Sequence, residues 1–527
     1  MIELRAYAGL IRNHVELSSE LGVSIEGLDR KEREESLMVA AYARWGEQMG
    51  THINGQFAVA LYDTEAERLF CARDILGAEL FFYYVTEEGD LLVGTAIADL
   101  FDQPGFKREL NEEMVQFYMG FTYLPGEETL FKGVYKLAPG GYLTFDSDGL
   151  KLGTYWELTF EPDTSKTLED WADEIDQAMD ASLSCILDEG EVPDSFLSGG
   201  VDSSYILAKS NARKGICAAY ENQQASEEEE ARATAAYLGR EFEGVTVTPE
   251  EFLANVDEFL LAFEIPTADV AALSLYSACK RVKDTTELCF SGEGADEFFA
   301  GYSVYQPTSV LRKLLNPVYF GTTYIMSDTE QARFLKHYCP NRATRDFMIK
   351  RSAGGKGYDE LSAKLYADLR TYFEASILYN STKISRGTGL DIRMPYVDLR
   401  MFDISRRMPS QFKVANGGNK LALRAAARRV LPQEVAYRKK LGFPVPVRSW
   451  LTRPEFSAEI GRAFKSETAK MFFKEAELDS LFDAFLGRKP RLHGIWFKRR
   501  EGLLWRYVWT IYTFIRWYEL FFKDGAR

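Results

Sequence analysis

From about residue 171 onwards, short apolar segments alternate with longer amphipathic ones, and this alternation limits the possible folds most strongly. It predicts strands at 194–198, 215–220, 242–247 and 286–291, and helices at 203–210, 226–238, 249–262 and 272–282. Strands that alternate with helices favour a parallel sheet covered by helices, in which ligands bind beyond the carboxyl ends of the strands. After residue 305 the pattern is mostly helical. We therefore expect an α/β domain with a helical C-terminal part.

The first part of the chain follows a different pattern. Apolar or alternating runs such as GQFAVALYD and RLFCARD are separated by Glu-Gly, Gly-Gly and Asp-Gly turns, which is typical of antiparallel sheet. Helices are predicted near 32–46 and 111–118. We expect an α+β domain at 1–160 and the α/β domain at 161–527, with the polar segment EPDTSKTLED (161–170) as the linker.

Composition excludes several classes of protein. A chain of 527 residues is too long for one core, and its net charge of −16 argues against nucleic acid or an anionic membrane as the main partner. Arg506, Arg516 and Glu519 interrupt the apolar segment 503–522, so we expect a packed helix there and no membrane span. Six scattered cysteines and no signal-peptide pattern predict reduced thiols and a cytoplasmic location.

The sequence FLSGGVDSSY (196–205) joins a predicted strand to a predicted helix. Free N–H groups in such a loop and the helix dipole attract anions, although the spacing is not that of the common phosphate loop. An ordinary turn is the alternative. However, Asp202 beside a phosphate would be repulsive without a metal ion between them, so the loop predicts magnesium and a polyphosphate together. The candidate anion-binding residues are Leu197, Ser198, Gly199, Gly200, Asp202, Ser203 and Ser204.

A second apolar strand enters a Ser-Gly loop in LCFSGEGADEFFAGY (288–302). If both strands are parallel, Asp202 and Asp296 face one crevice and share Mg²⁺, while Glu293 accepts a proton. A helix N-terminus stabilised by acidic side chains is the alternative. The basic segment YRKKLGFPVPVRSW (437–450) would hold a lysine against pentavalent phosphorus or an oxyanion, and a solvated charged face is its alternative.

Taken together, these motifs resemble those of the asparagine synthetases and their amide-forming relatives, over nearly the whole chain. LSGGVDSS is similar to their pyrophosphate loop and SGEGADEFFAGY to their second nucleotide motif. LDIRMPYVD (390–398) and YRKKLGFPVP also match family segments. The resemblance implies that a carboxylate attacks the α-phosphorus of ATP, giving an acyl-adenylate and pyrophosphate. An amine then displaces AMP and forms an amide.

The resemblance also assigns roles to residues. Asp202 and Asp296 would hold Mg²⁺, Glu293 would deprotonate the amine, and Lys440 would stabilise the transition states. Ser291 and Gly292 would join the first loop in binding ATP and pyrophosphate. The β-lactam-forming relatives have tyrosine in place of Glu293, so aspartate and ammonia are the favoured substrates.

The front of the chain resembles the glutamine amidotransferase domain of that family, which is of the Ntn-hydrolase type. YAGLIRNHVEL (7–17) is similar to the family's YNGEIYNHREL, so the chain is expected to begin inside the domain, after the strand that carries the nucleophilic cysteine. The glutamine-contacting Asn and Glu would be Ala8 and Leu10. The first cysteine, Cys71, lies in a segment similar to an internal strand. We therefore expect a truncated domain without glutaminase activity.

Three alternatives remain open at this stage. Ammonia could be free or come from a separate glutaminase. The enzyme could be a specialised amide ligase or a peptide or lactam cyclase in the same fold. It could also be a non-catalytic nucleotide-binding scaffold. Thr382, Lys383 and Arg386 stand where the family usually has Asp-Arg and Met, which leaves the identity of the carboxylate substrate open. A homodimer is a further expectation.

Overall fold

The computed structural model describes residues 1–220, 227–309, 318–439 and 445–523. The strands are β1 (Ile2–Ile11), β2 (Gly55–Asp63), β3 (Arg68–Arg73), β4 (Phe82–Val85), β5 (Leu91–Gly94), β6 (Val134–Lys136), β7 (Gly141–Asp146), β8 (Gly149–Thr154), β9 (Asp194–Phe196), β10 (Lys214–Ala219), β11 (Glu241–Thr246), β12 (Leu288–Phe290) and β13 (Asp391–Arg393).

The α-helices of the front half and of the parallel-sheet region are α1 (His14–Leu21), α2 (Arg30–Trp45), α3 (Ala98–Phe101), α4 (Glu113–Phe121), α5 (Leu168–Cys185), α6 (Val201–Lys209), α7 (Glu228–Tyr237), α8 (Pro249–Ala254), α9 (Val256–Phe263), α10 (Val270–Val282) and α11 (Ala295–Phe299). The later α-helices are α12 (Asp328–Phe334), α13 (Thr344–Arg351), α14 (Glu360–Asp368), α15 (Tyr379–Thr388), α16 (Leu399–Arg407), α17 (Leu421–Ala427), α18 (Gln433–Ala436), α19 (Val447–Trp450), α20 (Pro454–Phe464), α21 (Glu467–Phe472), α22 (Glu475–Phe485), α23 (Gly494–Arg499) and α24 (Leu504–Phe522). A π-helix, Leu369–Leu378, connects α14 to α15.

The front part is an antiparallel sheet domain, as the turn pattern predicts. Its larger sheet has the order β1-β2-β3-β7-β8, and a smaller sheet has the order β5-β4-β6. Strand β1 was not predicted. It pairs along its whole length with β2, from Ile2 opposite Asp63 to Ile11 opposite Gly55. Polar residues and Gly9 interrupt the alternation within β1, so its strand conformation depends on this pairing more than on its own sequence.

The second sheet confirms the predicted α/β architecture. Its order is β11-β10-β9-β12-β13, and every pair of neighbours is parallel. The two strands that precede the Ser-Gly loops, β9 and β12, are direct neighbours. The predicted helix 249–262 is two helices, α8 and α9, which meet at Asn255. Strand β13 was missed because three residues are too few to show a period.

The last helix, α24, is buried on most of its surface, as predicted for a packed helix. Among the described helices, none is both long enough and apolar enough to cross a membrane.

The helix α5 begins after Thr167, whose side chain and that of Asp170 form a capping box. The last three residues of the predicted linker, 168–170, therefore belong to α5, while the domain boundary at 160/161 stays a prediction.

Candidate functional site

The first Ser-Gly loop is held in one shape by its own hydroxyl groups. The backbone N–H of Ser198 donates to Ser203 Oγ over 3.0 Å, and the N–H of Gly200 donates to Ser198 Oγ over 3.1 Å. Ser204 Oγ donates to the carbonyl oxygen of Gly200 over 2.8 Å. A Cβ on Gly199 would lie 3.1 Å from Glu230 Cβ, so glycine suits this close approach. The loop thus leads into the N-terminus of α6, where anions bind.

The second loop contacts the first, as the neighbouring strands require. A Cβ on Gly292 would lie 3.5 Å from Asp202 Cβ and 3.6 Å from the backbone nitrogen of Ser203. A cavity of about 1120 Å³ opens where the two loops meet. Of the predicted site residues, the following line it: Leu197, Ser198, Asp202, Ser203, Ser291, Gly292, Glu293 and Asp296. The other three predicted residues of the first loop, Gly199, Gly200 and Ser204, do not line the cavity.

Lys420 joins the two predicted metal ligands, and sequence reasoning missed it. Its Nζ lies 2.6 Å from Asp202 Oδ2 and 2.7 Å from Asp296 Oδ1, and the side chain is 2% exposed. Lys420 has a left-handed backbone with φ of 54°, a strained conformation of the kind that gathers at functional sites. The only sequence signal is the preceding Gly417-Gly418-Asn419, which marks a turn before an alanine-rich helix.

Gly301 makes room for this arrangement. A Cβ at Gly301 would lie 1.7 Å from Asp296 Oδ1 and 2.1 Å from Lys420 Cε, which no structure tolerates. Asn419 Nδ2 donates to the Gly301 carbonyl over 2.5 Å, and Arg424 in turn donates to Asn419 Oδ1 over 2.9 Å. Gly301, the next-to-last residue of the second motif, therefore has to be glycine for Lys420 to reach Asp296.

Two glutamates of the second motif differ in their surroundings. Glu293 lines the cavity, its Oε2 is buried, and its carboxylate has no hydrogen-bond partner among the described residues. Glu297 is 2% exposed and accepts a hydrogen bond from the Tyr302 hydroxyl over 2.6 Å. Burial and the charge of Asp296 raise the pKa of Glu297 to about 7. Glu293 therefore has a free carboxylate facing the cavity, whereas Glu297 is committed to Tyr302.

The predicted catalytic lysine, Lys440, lies outside the described residues. Just before it, Arg438 donates from NH1 to the carbonyl oxygen of Gly199 over 3.0 Å. Tyr437 and Lys439 line the cavity. The start of the basic segment therefore reaches the first loop, and the role of Lys440 stays a prediction.

The cavity lining also includes residues that the motifs did not indicate. Asp269 precedes α10, Asn380 lies on α15, and Arg506 lies on α24, the helix of the apolar segment. By contrast, Lys383 and Arg386 do not line the cavity. Lys383 forms a buried ion pair with Glu264, and Arg386 pairs with Glu79.

In the front domain, the two positions expected to contact glutamine carry no polar side chain. Ala8 pairs with Ala58 between β1 and β2, and Leu10 is buried. Cys71 is fully buried in β3, and burial raises the pKa of its thiol well above the ordinary value. A thiol in that environment is a poor nucleophile.

The donor set fits a magnesium ion that is shared with a polyphosphate. Among the described residues, no three His, Cys, Asp or Glu side chains gather as a complete metal site. Magnesium is commonly held by one or two carboxylates plus substrate phosphates, which matches Asp202 and Asp296. The Lys420 ammonium between these carboxylates marks a position for positive charge.

Comparison with known proteins identifies two families along the chain. Residues 174–519 match the asparagine synthase family, and residues 3–156 match the glutamine amidotransferase domain family. The chain is 28% identical to asparagine synthetase [glutamine-hydrolyzing] 1 of Bacillus subtilis over 98% of its own length and 85% of that protein. It is also 28% identical to a putative asparagine synthetase of Mycobacterium tuberculosis, over 99% and 85% of the two chains. Asparagine synthetase 3 of Bacillus subtilis is 27% identical over 90% and 80%.

Proposed function

Because the chain belongs to the asparagine synthase family, we propose that it joins ammonia to the side-chain carboxylate of aspartate. Membership makes it an ATP-dependent carbon–nitrogen ligase that forms AMP and pyrophosphate. One observation carries the proposal. Both Ser-Gly loops, the paired Asp202 and Asp296, and the free carboxylate of Glu293 face a single cavity.

The first step is adenylation. A carboxylate is already ionised at neutral pH, so it attacks the α-phosphorus of ATP without a base. In our proposal, the backbone N–H groups and hydroxyls of the first loop, Ser198 to Ser204, hold the departing pyrophosphate at the start of α6. Ser291 and Gly292 support the nucleotide from the neighbouring loop. Lys420 places positive charge beside the phosphates, and Lys440 would add a second cation.

The second step forms the amide. Ammonia attacks the acyl-adenylate carbon, the tetrahedral intermediate collapses, and AMP leaves with the acyl–oxygen bond pair. The attacking nitrogen must lose a proton, and Glu293 is the group we assign to accept it. Its carboxylate makes no hydrogen bond to a described residue and is therefore available.

Asp202 and Asp296 are the residues that would hold Mg²⁺ in this site. When bound, the ion would neutralise charge on the β- and γ-phosphates. Lys420 pairs with both carboxylates, which compensates two neighbouring negative charges.

We further propose that this chain does not hydrolyse glutamine and takes ammonia from solution or from a separate glutaminase. Ala8 and Leu10 offer no side-chain hydrogen bond to a glutamine ligand. All six cysteines are free, which supports the proposed cytoplasmic location. The test is glutamate release from glutamine, with and without ATP, before and after alkylation of the cysteines. Release that alkylation abolishes would contradict this part of the proposal.

Aspartate-dependent exchange between ATP and labelled pyrophosphate tests the adenylation site. Asp202→Ala and Asp296→Ala should each lower the exchange rate by about 10²-fold or more, since both remove a metal ligand. Asp180→Asn is the matched control, because Asp180 is an exposed residue of α5 that pairs with Lys209 at the C-terminal end of α6. Circular dichroism checks that each variant is folded. Exchange at the wild-type rate in folded Asp202→Ala would refute the shared metal site.

A further inference from the structure

Two helices, α10 and α24, bring opposite charges to the lining of the cavity. Asp269 lies at the start of α10, and its Oδ1 accepts a hydrogen bond from the Ala271 N–H over 2.9 Å. Asn380 Nδ2 donates to Asp269 Oδ2 over 3.0 Å. These bonds fix the direction of the Asp269 carboxylate. Burial raises the pKa of Asp269, while Arg506 is among the groups that oppose the rise.

Arg506 has no partner that accounts for its position. Within the described part of the chain, its guanidinium forms no ion pair and donates no hydrogen bond. Its one aromatic contact is with the Trp505 ring, 5.9 Å from the ring centroid. Burial lowers the pKa of Arg506, and Asp269 is the first of the groups that oppose this shift. Keeping a half-buried guanidinium without hydrogen bonds costs free energy, so a missing anionic partner is indicated.

Asn380 gives a second, independent sign of a ligand. The residue is 6% exposed, and its Oδ1 has no hydrogen-bond partner among the described residues. Unpaired buried acceptors are uncommon in native proteins and call for an explanation. This acceptor lies in the same cavity lining as Asp269 and Arg506, so a donor on a bound molecule would complete it.

We propose that Asp269 and Arg506 bind the α-ammonium and α-carboxylate groups of an amino acid that carries a second carboxylate. Asn380 Oδ1 accepts a further hydrogen bond from the ammonium group. The second carboxylate then extends toward the two Ser-Gly loops, where adenylation takes place. This inference rests on the proposed function, because it assigns recognition residues to the carboxylate substrate of the same site.

The chemistry of the pair accounts for selection of a zwitterion. A dicarboxylate without the ammonium group brings no cation to the buried Asp269. An amine-bearing acid without the α-carboxylate brings no anion to Arg506. A site built to bind a polar group rejects an analogue that lacks it, because the groups of the site are then left buried and unpaired. Succinate and β-alanine are these two analogues of aspartate.

The experiment measures KM and kcat for pyrophosphate exchange with aspartate, succinate and β-alanine. Arg506→Met should raise the KM for aspartate by about 10-fold or more and abolish the preference for aspartate over β-alanine. Asp269→Asn, which keeps a good helix N-cap, should abolish the preference for aspartate over succinate. Arg499→Met, a change at an exposed position on α23, is the control and should alter neither value.

Stability separates a binding role from a structural one. Because Arg506 has no described hydrogen-bond partner, Arg506→Met should leave the melting temperature unchanged or raised, and aspartate should no longer raise it further. A KM within about 3-fold of wild type in both variants would overturn the inference and leave the proposed function standing.

A wild-type enzyme that shows no exchange with aspartate would instead refute the proposed substrate. Calorimetric titration with aspartate and with glutamate then decides the inference. Binding that both Arg506→Met and Asp269→Asn abolish supports it, and no binding of either amino acid to the wild type overturns it.

Discussion

In the front sheet, Glu34 accepts hydrogen bonds from the Tyr7 hydroxyl and the Ile11 N–H, each over 2.8 Å. Arg73 likewise donates to three backbone carbonyls and pairs with Glu374. In the cavity of the second domain, the Glu293 carboxylate, Asn380 Oδ1 and the Arg506 guanidinium face an open space without such partners among the described residues. Burial is common to both regions, and completeness of hydrogen bonding is what separates them.

The comparison indicates which polar groups support structure and which bind a substrate. A buried acceptor whose hydrogen bonds come from its own chain needs no ligand, and removing the acceptor leaves its donors buried and unpaired. A buried group that faces a cavity without a hydrogen-bond partner lowers the stability of the free protein. A bound molecule that supplies the partner offsets this loss. Mutations in the two regions should therefore separate loss of folding from loss of chemistry.

The largest effect is expected at Glu293. Glu293→Gln should lower amide formation by about 10²- to 10⁴-fold, because the amine step needs a proton acceptor, and should leave pyrophosphate exchange near wild type. The free energy of unfolding should not fall, because no described residue loses a hydrogen bond when the carboxylate is replaced. Asparagine formation, exchange and urea unfolding are measured on the same preparations.

The control for this change is Glu287→Gln, at an exposed position just before β12 and so at the opposite end of that strand from the Ser-Gly loop. It should alter neither step. Equal loss of exchange and amide formation in Glu293→Gln would show that Glu293 acts in adenylation and that the assigned base is wrong.

The next effect is expected at Glu374, where the two domains meet. Its Oε1 lies 2.9 Å from Arg73 NH1 and its Oε2 lies 3.4 Å from Lys136 Nζ, and all three side chains are at most 3% exposed. Although burial would raise the pKa of Glu374, Lys136 and Arg73 hold it below the ordinary value. Glu374→Gln should cost about 3–5 kcal/mol of unfolding free energy, because it leaves buried cations uncompensated.

Glu127→Gln is the matched control for Glu374. Glu127 also pairs across the two domains, with Arg351 over 2.5 Å, but its side chain is 38% exposed. Its loss should cost at most about 1 kcal/mol in urea unfolding. Equal losses of unfolding free energy in the two variants would show that burial does not determine how much these ion pairs stabilise the protein.

The smallest effect concerns the pH dependence of the front sheet. Burial raises the pKa of Glu34 to about 7, although the hydrogen bonds from Ile11 and Tyr7 oppose the rise. A raised carboxyl pKa stabilises the folded protein below the unfolded value near 4.5, and this contribution is lost as the pH rises toward 7. Glu34→Gln should therefore gain about 2–3 kcal/mol over wild type at pH 8 and none at pH 4.

The control is Glu35→Gln, measured across the same pH range. Glu35 is the next residue on α2, and its Oε1 lies 3.9 Å from Nζ of the exposed Lys31. That variant should differ from wild type by less than about 0.5 kcal/mol at every pH. A pH-independent difference for Glu34→Gln would mean that Glu34 does not titrate in this range.

The sequence predicts the adjacency of the two Ser-Gly loops because both follow strands of one parallel sheet, and the order β9-β12 confirms it. It does not predict Lys420, which follows β9 by more than 200 residues and approaches Asp202 only through the turn before α17. Asp269 and Arg506 are hidden for a related reason. One precedes an ordinary amphipathic helix and the other interrupts an apolar one, so neither pattern shows that the helices meet at a cavity.

The buried contact of Glu374 with Arg73 and Lys136 also bears on how such a chain can evolve. Glu374 belongs to the π-helix whose Tyr372 and Ile377 line the cavity, so the front domain supplies the counter-charges of a segment that shapes the other domain's site. A lineage that no longer needs glutamine hydrolysis can let the polar positions of β1 drift. Deletion of the whole front domain would remove both of these counter-charges from Glu374 and uncover the segment that shapes the ligase site. If glutamine hydrolysis has been lost, as proposed above, selection on amide formation alone would be enough to retain the amidotransferase fold.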